Sequence, residues 1–525
     1  MPQNSVIASK GRILWVDDEI DLLRSHIMLL SEKGYSVETA TNGEDAIALV
    51  RSRNFDLVFL DEMMAGMGGL ETLTIIKDVR PGLPIIMITK NEDEGLMEEA
   101  IGGKISDYLT KPVNPSQVLL TCKKFLEGKK ITEEYTSRDY IKEFNEISTA
   151  LQTSLGAGEW IDLYGKIGDW SLELDLHSDS FLRQSLSEQI KECNVEFSKF
   201  IERNYRHWLE QKTRPTLSVD VAEKYLIPEL GKGRSVVFFV IDCLRLDQWL
   251  VMESLLREFY NVSKEYYFSI LPTATPYSRN SIFSGSFPDE IEVRFPDIWE
   301  KWEDDENSRN KYEHQFLDNL LQRRRVMLKP ESKYIKILDP DFGRNIEQNI
   351  LSYVKNPLTS IVVNFVDMLA HGRSDSQLLK EIAPDEAAYR SLTKSWFMHS
   401  SFFGMLKTLA HQKNVTVILT TDHGSIRTLR NTKVLGDREA STSLRYKYGR
   451  NLKCDERHAV FVKNPADFRL PRRSVTVNYL IAKEDYYFVY PTEFHKYANQ
   501  YRDSFQHGGI SMEEMILPVV KLEPK

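Results

Sequence analysis

Carboxylates, hydroxyls and imidazoles stand at the ends of apolar runs along this sequence, and they fall into two sets. In the first, Asp17 and Asp18 follow ILWV, Asp61 follows LVFL, Thr89 follows IIMI, and Lys111 and Pro112 follow ISDYLT. Open parallel sheets bind ligands beyond the carboxyl ends of their strands, so these residues would meet in one crevice. Three converging carboxylates repel one another unless a cation intervenes, and an all-oxygen donor set favours Mg2+, which keeps waters and bridges to phosphate. A lysine and a hydroxyl nearby complete a phosphoryl site.

In the second set, Asp242 follows VVFFVI, Asp367 and His371 are spaced as DMLAH after IVVNFV, Asp422 and His423 lie in TDHG, and His507 lies in SFQHGG. Asp and neutral His suit Zn2+, and this many ligands suits two ions about 4 Å apart that clamp an in-line phosphoryl displacement. The segment LPTATPYSRNSIFSGSFP offers Thr273, Thr275, Ser278 and Arg279 before a predicted helix. A hydroxyl on zinc loses its proton readily, and the positive end of a helix favours an oxyanion and a phosphate. Taken singly, a carboxylate after a strand is ordinarily a helix cap, and a lone His is ordinarily a surface or core residue. The chemistry rests on the sets.

The elements that must position these residues are α/β. At 525 residues, with 42% apolar content, the chain can build two to four domains of about 150 residues. From Arg12 to about Leu126, apolar runs alternate with helical stretches such as EDAIALVRS, which predicts βα units around a parallel sheet. Beyond EGKK the sequence is charged and helical to about Gln211, with Ile141, Phe144, Ile147 and Leu151 at helical spacing. Strands return in SVVFFVID, TSIVVNFVD and VTVILTTD. The expected domains are therefore 1–128, a helical connector or bundle at 129–216, and a larger α/β domain at 217–525 with an insertion or cap at about 287–356, where KWEDDEN and QRRRV occur.

A net charge of -9 argues against broad, non-specific binding to nucleic acid. Cys122, Cys193, Cys243 and Cys454 form no CxxC pair, which points to a reducing, cytoplasmic setting. The opening MPQNSVIASKGR has no apolar signal core and the apolar runs are too short to span a bilayer, so no direct membrane insertion is expected.

The first set, in order over about 115 residues, resembles the CheY-like (flavodoxin-like) receiver domain of bacterial response regulators. The resemblance implies that Asp61 is the phosphoacceptor, that Asp17, Asp18 and Asp61 bind Mg2+, and that Thr89 and Lys111 contact the phosphoryl group. It also implies that Tyr108 rotates on activation; we expect homodimerisation as the readout. The loop EMMAGMGG after Asp61 lacks the proline usual in that family. The last 300 residues or so are similar to a PglZ domain of the alkaline phosphatase superfamily. That superfamily places a Ser, Thr or Cys ten residues before a Gly that follows a small residue, and its sulfatases place an Arg four residues after the nucleophile. Ser284, Gly285 and Arg279 fit this spacing counted from Thr275, with Thr273 the runner-up. Carried over, one Zn2+ would take Asp242, Thr275, Asp422 and His423, and the other Asp367, His371 and His507.

A receiver joined by helices to a PglZ domain resembles the response regulators of type IX secretion. This likeness implies a sensor histidine kinase of the PorY type, an ECF sigma factor as partner, and phosphodiesterase activity on cyclic or linear oligonucleotides. The rival reading is a catalytically inert PglZ scaffold that binds a sigma factor or secretion component after phosphorylation; the intact ligand set favours the enzyme. Direct promoter binding is disfavoured by the acidity and by the lack of an evident recognition helix.

Overall fold

The computed structural model describes residues 9–90, 105–177, 179–211, 213–300, 311–437, 441–472 and 476–525. It divides into two compact units, Met1–Tyr140 and Ile141–Lys525.

In the first unit, β1 (Arg12–Val16), β2 (Ser36–Ala40), β3 (Leu57–Asp61), β4 (Ile85–Thr89) and β5 (Asp107–Thr110) form a sheet in the order β2-β1-β3-β4-β5. All four pairings are parallel. This is the flavodoxin-like order, and it reverses between β1 and β3, where a ligand crevice belongs. Strand periodicity explains the layering: Leu14 and Val16 pack against helices Gly43–Ser52 and Gly69–Val79, while Ile13 and Trp15 pack against helices Arg24–Glu32 and Pro115–Cys122.

The second unit contains β6 (Ser235–Ile241), β7 (Tyr260–Phe268), β8 (Lys333–Ile337), β9 (Leu358–Val363) and β10 (Val415–Thr421). Smaller pairings follow: β11 (Ile426–Thr428) with β17 (Ser504–Gln506), β12 (Arg430–Lys433) with β16 (Tyr486–Val489), and β13 (Tyr446–Gly449), β14 (Ala459–Val462) and β15 (Asn478–Ala482) together. With β18 (Ile516–Pro524), the main sheet runs β7-β18-β10-β6-β9-β8. Its middle is parallel, and β18 and β7 are antiparallel. Val237 and Phe239 of β6 face one core and Val236 and Phe238 the other, so helices cover both sides.

Two stretches pack in ways that spacing alone does not show. Helices Ala157–Asp175 and Ser180–Glu210 contribute Trp160, Ile167, Phe197 and Ile201 to the core that holds Val237 and Phe239, so this helical segment is built into the second unit. The stretch expected as a cap at 287–356 ends in β8 and helix Pro340–Tyr353, an edge βα unit of the main sheet. The short KYIKI buries only alternate positions, as an edge strand does, which gave a weak apolar signal. KWEDDEN lies outside the described residues. Among the described residues, no helix is long and apolar enough to cross a membrane.

Candidate metal and phosphoryl sites

At the switch point of the first sheet, Asp17, Asp18 and Asp61 present carboxylate oxygens within 4.8 Å of one another. Lys111 Nζ donates to Asp17 Oδ2 at 2.9 Å and to Asp61 Oδ2 at 2.8 Å. Burial raises the Asp61 pKa, Lys111 opposes it and Asp17 adds to it, leaving the carboxyl above its ordinary value. Burial works against the Lys111 charge, but its hydrogen bonds to Asp61 and Asp17 prevail and its pKa rises. The Thr89 hydroxyl donates to Glu62, a partner that sequence reading did not single out. Tyr108 is partly exposed on β5 beside Met87 of β4.

In the second unit, the donors come from the ends of separate elements. Asp242 follows β6, Asp422 and His423 follow β10, and His507 follows β17. Asp367 and His371 lie on helix Phe365–Asp375, where a four-residue spacing stacks them on one face. Two donor groups result, Asp242 with Asp422 and His423, and Asp367 with His371 and His507, each with ligand atoms within 4.8 Å. The His423 and His507 rings stack at 4.2 Å, so the groups adjoin. Asp367 Oδ1 lies 3.4 Å from His371 Nε2 and 3.7 Å from His507 Nε2, and His423 Nε2 lies 3.7 Å from Asp242 Oδ1.

Local geometry prepares these ligands. His423 Nδ1 lies 3.1 Å from the Gly424 carbonyl, which can only accept, so that nitrogen carries the proton and Nε2 offers its lone pair. A Cβ on Gly424 would sit 1.9 Å from the Glu513 carbonyl oxygen, so only glycine closes this turn. Cys243, directly after Asp242, holds a left-handed φ of 65°, the kind of strain that gathers at functional sites. Its amide donates to Asp422 Oδ1 at 3.3 Å.

The two candidate threonines part company. Thr275 opens the buried helix Thr275–Ser284, and its hydroxyl lies 3.0 Å from His423 Nε2 and 3.4 Å from Asp242 Oδ1. The helix ends at Gly285, whose φ of 57° favours glycine. Thr273 instead donates to the Gly509 carbonyl at 2.8 Å and accepts from the Gly508 amide at 3.1 Å, tying down the turn after His507. Arg279, 0% exposed, lies behind the ligands: its Nε donates to Asp422 Oδ2 at 3.0 Å and its guanidinium pairs with Asp242 Oδ2. Sequence reading missed Glu313 and Lys336, which sit on the far side of Arg279; an isolated Glu and Lys carry no spacing signal.

Electrostatics fit a cation here. Burial, then repulsion from Asp422 and Asp367, lifts the Asp242 pKa to about 6 against the pull of Arg279. Burial would also raise Asp367, but the hydrogen bond to His371 and the charges of His371, His507 and His423 carry it below the ordinary range. Burial lowers His423, keeping it neutral as a ligand must be. Carboxylate oxygens, imidazole nitrogens and one hydroxyl form the mixed donor set that suits Zn2+.

Family models match three consecutive segments. The response regulator receiver domain covers residues 13–123, the PorX response regulator linker domain covers 130–209, and the BREX system PglZ alkaline phosphatase-like domain covers 221–522, more than half of the chain. The chain belongs to the PglZ family. Together the segments give this PglZ protein a PorX-like architecture, that of a response regulator with an alkaline phosphatase-like output. Its receiver is 36% identical over 123 residues to the alginate biosynthesis transcriptional regulatory protein AlgB of Pseudomonas aeruginosa, covering 23% of this chain and 27% of that one. It is also 36% identical over 118 residues to the transcriptional regulatory protein ResD of Bacillus subtilis, covering 22% and 49%. The chain thus spans between about a quarter and a half of these relatives. Among solved structures, a CheY-like receiver from Methanospirillum hungatei is 32% identical with a TM-score of 0.22, covering 22% of this chain and 94% of that one. Chemotaxis protein CheY4 of Vibrio cholerae is 30% identical with a TM-score of 0.22, covering 22% and 98%.

Proposed function

We propose that phosphorylation of Asp61 controls a zinc-dependent phosphodiesterase in the PglZ domain, acting on cyclic or linear oligonucleotides in the regulation of type IX secretion. One observation carries the reading: the Thr275 hydroxyl stands at a helix N-terminus, 3.0 Å from His423 Nε2, where two metal-donor groups adjoin. Bound Zn2+ would supply Lewis acidity, lowering the hydroxyl pKa and neutralising phosphoryl charge. Asp242, Asp422, His423 and Thr275 would hold one ion, and Asp367, His371 and His507 the other. Thr275 Oγ1 attacks phosphorus in line and releases its proton to solvent; the bond to the leaving nucleoside oxygen breaks, and that oxygen takes a proton from solvent. Water then attacks the phosphorus of this threonine-bound nucleotide: its oxygen stays on phosphorus, the bond to Thr275 Oγ1 breaks, and one of its protons restores the hydroxyl. Amides at the start of helix Thr275–Ser284 favour the anionic phosphoryl oxygens throughout.

On the receiver side, a sensor histidine kinase of the PorY type supplies the phosphoryl group to Asp61, with Mg2+ held by Asp17, Asp18 and Asp61. Lys111 then meets phosphoryl oxygens in place of a carboxylate, and Thr89 exchanges Glu62 for the phosphoryl group. Homodimerisation and contact with an ECF sigma factor are the outputs this reading includes.

The test measures zinc content and hydrolysis of short oligonucleotides by wild type, Thr275→Ala and Asp61→Ala, with and without beryllofluoride. Two zinc ions per chain, hydrolysis lost in Thr275→Ala, and a beryllofluoride response lost in Asp61→Ala are the expected results. A metal-free, inactive wild type sinks the enzyme and leaves the scaffold. Unchanged hydrolysis in Thr275→Ala removes the nucleophile.

A further inference from the structure

Behind the Asp242 and Asp422 carboxylates lies a layer of charge drawn from outside the motifs. Arg279, with no exposed surface, is the hub: it bonds Asp422 and Asp242 on one side, and on the other its Nη1 lies 3.7 Å from Glu313 Oε1. Glu313 is itself 0% exposed, at the start of helix Glu313–Arg323. At 3.7 Å its pairing with Arg279 is one of charge, and Tyr334 and Lys336 also face its carboxylate. Lys336 of β8 places Nζ 3.5 Å from the same Oε1.

A buried carboxylate is costly to ionise unless cations surround it, and here it is set between two. A guanidinium held only by Asp242 and Asp422 would compete with any dication for those carboxylates. Counting formal charges, Asp242, Asp422 and Glu313 carry three negative charges against two positive ones on Arg279 and Lys336, a net of -1. Removing the Glu313 charge brings that count to zero, and removing the Lys336 charge brings it to -2.

We propose that Glu313 is a positioning residue that draws the charge of Arg279 away from Asp242 and Asp422, and that Glu313 and Lys336 thereby set, in opposite directions, the affinity of this donor group for a divalent metal. The inference rests on the metal site of the proposed function but not on its reaction. Residues around a metal's direct ligands commonly shift affinity by about 10–100-fold, and a fully buried charge belongs in that range.

The experiment uses the full chain, stripped of metal, and titrates Zn2+ against a chromophoric chelator for wild type, Glu313→Gln, Glu313→Asp and Lys336→Met, with a metal-free thermal melt of each. In Glu313→Gln one of two Zn2+ is expected to bind about 10–100-fold more weakly while the other is unchanged. Glu313→Asp keeps the charge and is expected to fall between Glu313→Gln and wild type, and Lys336→Met is expected to bind the affected ion several-fold more tightly. A purely structural role would weaken binding in all three. Wild-type affinity in a folded Glu313→Gln, or weaker binding in Lys336→Met, overturns the proposal. Should Glu313→Gln fail to fold, Lys336→Met decides alone, with unchanged affinity counting against it. A wild type that binds two ions but hydrolyses no ester defeats the proposed reaction while these affinities still judge the inference, and one that binds no Zn2+ defeats both.

Discussion

The two acidic centres of this PglZ protein solve the same repulsion differently. In the receiver, Asp17 and Asp61 share Lys111 at 2.9 and 2.8 Å, a flexible ammonium in the crevice that the proposed phosphoryl group would occupy. In the PglZ domain, Asp242 and Asp422 share Arg279, a rigid guanidinium locked behind them, and imidazoles complete the donor groups. A cation in front can exchange partners when a phosphoryl group arrives. One behind would leave the front clear for the proposed metal and substrate. On the proposed reading, transient charge would be matched to a movable counter-ion and all-oxygen ligands, and a resident metal to a fixed counter-ion and mixed ligands.

The largest effect that could break this comparison is at Thr275. Thr275→Ala is expected to lower kcat on a bis(p-nitrophenyl) phosphate substrate by at least ~10^3-fold. Thr273→Ala, which loosens only the turn at Gly508 and Gly509, should cost far less. Equal losses would erase the distinction between them. Next, chelation should destabilise the second unit alone. With free Zn2+ at about 1,000 times its Kd, metal contributes roughly 4 kcal/mol, and calorimetry with and without chelator should move one unfolding transition and leave the receiver's in place.

A smaller effect sharpens the receiver side. Lys111→Met removes the cation shared by Asp17 and Asp61, so Mg2+ should bind several-fold more tightly by calorimetric titration while the beryllofluoride response is lost. Weaker Mg2+ binding would show that Lys111 organises the carboxylates and does not compete for them. The smallest effect is at Glu513, beside the turn of Gly424. Burial raises its pKa to about 7 against the hydrogen bonds from Asn194. The folded state therefore holds this proton more tightly than the unfolded chain, and the resulting stability, full below about pH 4.5, is lost as pH rises through about 7. Glu513→Gln should flatten that slope and melt a few degrees higher than wild type at pH 8, roughly 2–4 °C for each kcal/mol. An unchanged pH profile would place the titration elsewhere.

Much of both centres was legible because strands and ligands are local partners: a buried strand must end in a turn, and the residue there projects into the crevice. Asp17, Asp61, Asp242, Asp422 and His423 are named by that rule alone. Spacing on one helix likewise paired Asp367 with His371. What tertiary structure alone decided was every relation between residues that no short spacing links. It separated Thr275 from Thr273 by which carbonyls and imidazoles came within reach, and it placed Arg279 behind the carboxylates. It built the helices at 157–210 into the core of the PglZ unit, where Phe197 and Trp160 complete a layer started by Val237 and Phe239. It also brought Glu313 and Lys336 to Arg279 from a helix and an edge strand far along the chain. Composition names the charges, but which charges meet in a buried site depends on the packing of elements that share no sequence signal.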